Sequence, residues 1–526
     1  MAKTVGISPW APLAITVFRV LWLAQLGSNI GTWMQTVGAQ WFLVDSAAGA
    51  TVIALVQTAS LAPSMLFSLP AGVLSDSIDR RKLLIWGSIA SAIITVALTV
   101  VAATHGLTPL LLLGFTFLLG ITSTLTAPAW QAIQPELVPR EQIAAASGLG
   151  GVTVNGARAV GPALAGIVLA SFGTPVVFAI NALSFLAATA ALIWWKREPQ
   201  PGLDDREPFW RALATGVRYV ASAHLIRRIL LRSALFALPA SALWALLPLV
   251  AQRMHLNSAG YGGLLGALGV GAVIGVFALP KARAKVGDNV MLAASATLYA
   301  VGVAAAAFLP FVPALILLVL SGAAWIGTLT VLNSSLQLTL PQWVRSRGAA
   351  TYIFVFMGTM AIGSYLWGAV AQAIGTGLTL GITAAALLLV AASVVIAPLH
   401  ANTGHIDRTI DLAWPTPTLV FEPAPTDGPV TIILTYTVLA SNLLAFESAM
   451  KDVRDSRRRT GATGWRLLRS GEDASLIIET FSAPSWAEFR RQQTQRLTGR
   501  DREIRASARK LSEGEPTETH YFPAHP

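Results

Sequence analysis

The chain contains no cysteine, which excludes disulfide staples, thiolate nucleophiles and cysteine-held metals. Charge is scarce as well: Asp, Glu, Lys and Arg supply 12% of 526 residues, against roughly a quarter in soluble domains. Carboxylates are missing from one place in particular. Every Asp and Glu before residue 400 stands in a polar segment or at the edge of an apolar one: Asp45, Asp76, Asp79, Glu136, Glu141, Glu198, Asp204, Asp205, Glu207 and Asp288. None is set at mid-membrane depth. A Gly-x4-Gly-Lys-Ser/Thr phosphate loop is absent too, which argues against direct nucleotide use. No cofactor and no metal site are expected.

Apolar length is what the chain has in abundance. Hydrophobic residues make up 54% of it and the mean hydropathy is +0.61. Runs of about 20 apolar residues cross roughly 30 Å of hydrocarbon. Twelve such runs are read at 17–44, 50–74, 83–104, 107–129, 143–170, 174–195, 229–252, 258–280, 289–309, 312–333, 347–374 and 377–397. The first is too long for the apolar core of a signal peptide and is expected to stay in the membrane. The fold expected is an all-α membrane protein of twelve transmembrane helices in two six-helix halves, followed by a small α+β domain. The boundaries are a first bundle at 1–195, a central loop at 196–228, a second bundle at 229–397, a linker at 398–428 and a soluble domain at 429–526.

Lysine and arginine are retained on the cytoplasmic side of short loops. One set of alternate loops holds Arg80, Arg81, Lys82, Arg140, Lys196, Arg197, Arg206, Arg211, Arg218, Arg227, Arg228, Arg232, Lys281, Arg283, Lys285, Arg345 and Arg347, against Arg253 alone in the other. This bias places both termini in the cytoplasm and the chain in the cell (inner) membrane. It also accounts for most of the net charge of +11 without nucleic acid as a partner.

The two halves repeat weakly. Gly161-Pro-Ala-Leu-Ala-Gly166 follows a loop with Pro135, Val138 and Arg140, and Gly363-Ser-Tyr-Leu-Trp-Gly368 follows Pro341, Val344 and Arg345. Parallel six-helix repeats suit a carrier that rocks two bundles about a midplane site.

The segment Gly72-Val-Leu-Ser-Asp-Ser-Ile-Asp-Arg-Arg-Lys82 resembles the loop between spans two and three of the major facilitator superfamily. Gly72, Leu74, Asp76, Arg80 and Arg81 match its pattern, and Asp79 replaces the usual glycine. Gln134-Pro-Glu-Leu-Val-Pro-Arg-Glu141, with Asn155, Arg158 and Gly161-Pro162, is similar to the branch of enterobactin-exporter-like and drug-efflux carriers. The resemblance implies export of a small amphipathic molecule, siderophore- or antibiotic-like, by alternating access with proton antiport. It implies gating by Gly72, Asp76, Arg80, Arg81, Gly161, Pro162 and Arg345, with Asp76 latching onto the start of span eleven. The same arginines are also explained by topology alone. The sequence itself offers no mid-membrane proton carrier, and Asp45 is the remaining titrating candidate.

Two features point to a cargo site. Trp22, Gln25, Asn29, Trp33, Thr36 and Gln40 recur at helical steps along span one and read as one stripe facing the bundle interior. Ser321, Trp325, Thr328 and Asn333 form a looser counterpart in span ten. Arg158 stands midway along span five, where a charge is costly, with Asn155 one turn earlier. Cargo binding and ordinary interhelical hydrogen bonding both fit these residues.

Past Pro398 the pattern is strand at Val430–Val438, helix at Asn442–Arg459, strands at Trp465–Arg469 and Leu476–Phe481, helix at Pro484–Lys510 and strand at Thr517–Phe522. This is the order of a ferredoxin-like unit, and it resembles the small dimeric α+β barrels that include antibiotic-biosynthesis monooxygenases. Dimerisation through this domain follows from the resemblance. Arg457-Arg458-Arg459 reads as a lipid contact, a ligand contact or a solvated helix end; Trp465 and His520 are the residues an enzyme would use. The alternative function is accordingly a membrane-tethered enzyme or sensor in which this domain is primary.

The cysteine-free chain makes topology directly testable. A membrane-impermeant maleimide should label Ser46→Cys and His255→Cys in intact cells, and Gln142→Cys and Ala284→Cys only after lysis.

Overall fold

The computed structural model describes residues 8–197, 219–220, 223–341, 344–399 and 419–524. The central loop at 196–228 and the linker at 398–428 lie largely outside them. Two compact units are present. One takes the chain to Leu203, Leu230–Ser334 and Tyr352–Leu399; the other takes Asp204–Ile229, Ser335–Thr351 and His400–Pro526.

The helices are α1 (Thr16–Asp45), α2 (Ala50–Ser77), α3 (Arg80–Ala103), α4 (Pro109–Ile133), α5 (Ile143–Phe172), α6 (Thr174–Trp194), α7 (His224–Arg253), α8 (Ser258–Phe308), α9 (Phe311–Thr339), α10 (Arg345–Ile374) and α11 (Thr376–Ile396). Among the described residues ten helical segments are long and apolar enough to cross a membrane. The chain is a multi-pass membrane protein.

Helix starts and stops follow from local chemistry. Asp79 caps α3 by accepting from the Lys82 amide, Thr108 caps α4 and Asn257 caps α8. Gly173 (φ 78°) and Gly375 (φ 88°) join α5 to α6 and α10 to α11 through a left-handed residue, a conformation open to glycine. The same device thus recurs in the two halves.

Two of the expected runs, at 258–280 and 289–309, belong to the 51-residue α8. Gly287 breaks it with a φ of 78°. Arg283 closes the elbow, donating to Asp288 at 2.6 and 3.1 Å and to Ser334 Oγ at 2.6 Å. The non-helical Gly287 thus divides the segment between the two expected runs, as the polar residues from Lys281 to Asp288 predict.

The two sets of helices meet through small residues. A Cβ on Gly166 would stand 2.7 Å from the Ser258 carbonyl oxygen, and one on Gly262 would overlap the Pro162 carbonyl oxygen. Gly269 lies against the Arg158–Ala159 backbone. On the other side, Thr58 Oγ1 donates to the Ala361 carbonyl at 2.8 Å and Gly368 packs on Thr51 and Ala54.

The C-terminal part of the second unit comprises β1 (Val430–Thr437), α12 (Leu443–Thr460), β2 (Thr463–Arg469), β3 (Leu476–Ala483), α13 (Trp486–Arg491), α14 (Gly499–Arg509) and β4 (Glu513–Tyr521). The antiparallel sheet has the order β2-β3-β1-β4. Val430, Ile432, Leu434 and Tyr436 alternate inward from β1 to meet Phe446, Met450 and Phe489. In place of one helix over 484–510, a π-helical turn at Gln492–Arg496 follows α13 and the chain restarts at α14. Arg496 turns in to Glu488 at 2.6 Å and to the Thr460 carbonyl at 2.8 Å, and the Thr498–Asp501 capping box begins the new helix.

The arginine run is also divided by the helical period. Arg457 is buried: its Nε donates to Glu479 at 2.9 Å and its guanidinium lies 4.2 Å from the Phe481 ring centre. Arg459 pairs with Asp501 at 2.9 Å, and Arg458 is exposed. Trp465 Nε1 and Tyr436 Oη complete the shell of Glu479, each at 3.0 Å. Burial pushes the Glu479 carboxyl up, but Arg457 and the Trp465 indole leave it below its ordinary value. That stability is full above the ordinary carboxylate range and is lost as acid protonates the group through its lowered folded value. Glu479→Ala should cost about 3–5 kcal/mol by orphaning a buried guanidinium, and the pair Arg457→Met with Glu479→Leu should cost less. Limited proteolysis of this domain within the full chain, over a pH series, reads both effects.

Candidate functional site

Within the first six helices lies a cavity of about 400 Å³. Gln25, Asn29, Thr32 and Thr36 reach it from α1, Ser91 from α3, Thr116, Ser123 and Thr126 from α4, Thr153 from α5 and Asn181 from α6. Trp22, Trp130 and Phe185 supply apolar walls. Local bonds hold the lining in place: Asn181 Nδ2 donates to Gln35 Oε1, Ser91 and Thr122 hydroxyls share a bond of 2.7 Å, and Trp22 Nε1 donates to the Leu149 carbonyl at 3.0 Å.

The single stripe expected on span one divides into two faces. Trp22, Gln25, Asn29 and Thr36, together with Thr32, follow steps of three and four and line the cavity. Trp33 and Gln40 each stand four residues past a cavity residue, Asn29 and Thr36, about 40° further round the helix, and pack on Trp244 of the second half. Gln40 is fully buried, donates to the Trp244 carbonyl at 3.3 Å and accepts from the Tyr261 hydroxyl.

Trp33 leads to the other polar feature. The Arg158 guanidinium carbon sits 5.6 Å from the Trp33 ring centre and 5.8 Å from that of Trp244. Its Nε and Nη1 are shut off from solvent and have no hydrogen-bond partner among the described residues. Asn155 gives it no help, because its amide donates to the Gly151 carbonyl of its own helix at 3.0 Å. Beyond Trp244 the rings continue: Trp325 packs on Trp244 at 5.5 Å and on Phe236, Tyr299 and Phe356 at 5.8 Å each. The indole nitrogen of Trp325 and the hydroxyl of Thr328 also lack partners among the described residues. Ser321 bonds its own helix at Leu317, and Asn333 is exposed. Trp244 and Tyr299 stand in apolar runs with no polar spacing, so only the packing brings them forward.

The residues assigned to gating separate. Arg80 donates to Glu136 at 2.7 Å, and Arg197 bridges Glu136 at 2.8 Å and Asp79 at 2.9 Å. Partial burial raises the Asp79 carboxyl, but the Lys82 amide and Arg197 bring it below its usual range. Arg81 caps the end of α6 at the Leu192 and Ile193 carbonyls. These contacts tie α3, α4 and α6 together inside one half. The Asp76 side chain lies outside the described residues, and Arg345 is exposed. Nothing stands within 4 Å of a Cβ on Gly72, whereas Gly161 is pressed against Trp33 and Pro162 against Gly262. Asp45 is exposed at the end of α1.

Ten long apolar helical segments among the described residues, with a polar cavity inside the first six helices, define a multi-pass membrane transporter, and comparison with known proteins gives its family. The family model described as transmembrane secretion effector matches residues 7–522, and the chain belongs to that family. It is 29% identical over 160 residues to the staphyloferrin A transporter of Staphylococcus aureus, covering 30% of this chain and 40% of that protein. It is 30% identical over 278 residues to the enterobactin exporter EntS of Salmonella paratyphi A, covering 52% of this chain and 64% of that one. The chain therefore spans less than two thirds of the length of these curated relatives. The nucleoside transporter NupG superposes with a TM-score of 0.63 at 11% identity over 73% of this chain and all of that one, which shows a shared fold.

Glycine packing around this site is open to a direct check. Gly262→Ala should lower stability by about 1–3 kcal/mol through overpacking. Gly263→Ala, where a Cβ meets only Phe311 at 3.9 Å, should leave the thermal midpoint of the detergent-solubilised protein unchanged.

Proposed function

We propose that the chain is a secondary exporter of a small amphipathic molecule, siderophore- or antibiotic-like, working by alternating access. The observation that carries this is the polar cavity of about 400 Å³ enclosed by otherwise apolar helices, a size that suits a drug-sized ligand. Lipid would penalise seventeen hydroxyl and amide side chains on one lining, and a cargo with matching groups rewards them.

Twelve crossings follow when α8 is taken as two, with both termini in the cytoplasm and the protein in the inner membrane. In that orientation the glycine contacts of α5 with α8 and of α2 with α10 fall in the outer half. Gln134, Leu137 and Gly150 carry the cavity toward the cytoplasmic side. The conformation is thus read as closed outward. Cargo roles go to Gln25, Asn29 and Thr36 in the cavity and to Trp33, Arg158 and Trp325 at the seam. Gating goes to Gly72 and Asp76 from their motif, and to Gly161 and Pro162 from their contacts. The tail is read as a ferredoxin-like cytoplasmic domain from its sheet order β2-β3-β1-β4.

The test is efflux from a host lacking its own exporters, profiled across catecholate and carboxylate siderophores, macrolides and phenicols. At least one class should leave the cell faster, with Asn29→Ala and Gln25→Ala lowering that rate severalfold at equal expression. Export of none of them overturns the assignment, and undiminished export after deletion of residues 429–526 assigns transport to the helices alone.

A further inference from the structure

Arg158 poses a charge problem that the described residues do not solve. It stands at the middle of α5, with Nε and Nη1 closed to solvent and unpartnered among the described residues. Trp33 and Trp244 present their rings to it. No Asp, Glu or His lies within the interior of any span: Asp45 ends α1, Asp76 lies at the end of α2, Asp288 sits at the α8 elbow, and His105 and His255 lie between helices. A buried cation is ordinarily matched by an anion with complementary donors and acceptors. Ring faces offset only part of that cost.

Resting on the exporter reading, we propose that the missing anion is the cargo's own acid group. Arg158 binds an organic monoanion carrying an aromatic body, and the membrane potential acting on that charge drives export. Loaded, the site is neutral; empty, it carries one positive charge. Each cycle therefore moves one negative charge outward, with the empty cationic carrier returning toward a negative interior. A potential of 100 mV biases such a cycle roughly 50-fold, about 2.3 kcal/mol per charge. No side chain has to exchange a proton, which fits the lack of carboxylate and imidazole in the spans. The Nε and Nη1 donors lie on different edges of the planar guanidinium, and each is left to donate a charge-assisted hydrogen bond to an oxygen of a carboxylate or sulfonate.

The probe is naphthalene-2-sulfonate, a permanent anion that brings no titratable proton, trapped in liposomes containing the full chain. An interior-negative potassium diffusion potential should accelerate its efflux at least fivefold. A pH gradient at zero potential should leave it unchanged. Arg158→Gln should abolish the potential-dependent part and Arg158→Lys should retain a measurable fraction, with size-exclusion and thermal profiles confirming that both variants fold. Efflux that follows the pH gradient and not the potential overturns the proposal. So does an Arg158→Gln variant indistinguishable from the parent, or a sulfonate that does not move at all. Cellular export of neutral compounds alongside any of those results would leave the exporter reading standing, whereas absence of all cellular export would remove that reading by itself.

Discussion

The close approach of α5 to the first part of α8 is the constraint on which the rest of the membrane unit depends. Gly166 against Ser258, Gly262 against Pro162 and Gly269 against Ala159 bring two backbones together with no room for a Cβ. In lipid, helix association gains little from the hydrophobic effect, so dispersion across such a seam and the bonds it permits supply the attraction. The Ser258 hydroxyl donates to the Gly166 carbonyl at 3.2 Å, and Tyr261 reaches across to Gln40. Because the seam is made of backbone, it sets the depth of everything attached to α5. Arg158 lies one residue from the Gly269 contact, and Trp33 is pinned against Gly161.

Two kinds of polar interior result. The cavity in the first half is lined by hydroxyls and amides, several of which bond their own helices, such as Thr116 to Leu112 and Thr153 to Leu149, leaving polar surface available without charge. At the seam the arrangement is the opposite: rings crowd together, and the polar atoms among them include several with no partner in the described structure. Satisfied walls favour weak, adaptable contacts, while unsatisfied buried donors favour one well-placed acceptor. These differences suggest a division between residues that hold the body of a ligand and those that read its charge.

The helices were legible because apolar length is a strong signal: runs read at 17–44, 143–170 and 174–195 are the helices Thr16–Asp45, Ile143–Phe172 and Thr174–Trp194. Facing was harder. Period 3.6 allows steps of three and four from Asn29 to reach either Thr36 or Gln40, and hydropathy does not separate positions about 40° apart. Arg158 announced itself by charge, but Trp244 and Tyr299 did not, because an aromatic residue in an apolar run is ordinary until its neighbours are known. In the tail, alternation marked β1 within a residue or two. The restart after Leu497 had a local sign in the Thr498–Asp501 capping box, whereas the inward turn of Arg496 to Glu488 and to the Thr460 carbonyl is visible only in the packing.

At the end of α11 the Asn289 side chain donates to the Leu399 carbonyl at 2.9 Å and accepts from the Leu399 amide at 2.7 Å. A side-chain amide here imitates one rung of a β-ladder, closing a ring with the backbone just as the chain leaves the bundle. In mechanical terms it is a strain relief: tension applied along the chain after Leu399 is shared with Asn289, just past the α8 elbow, before it reaches the last turn of α11. The last turn of α11 is thereby held against fraying at the point where the chain leaves the bundle.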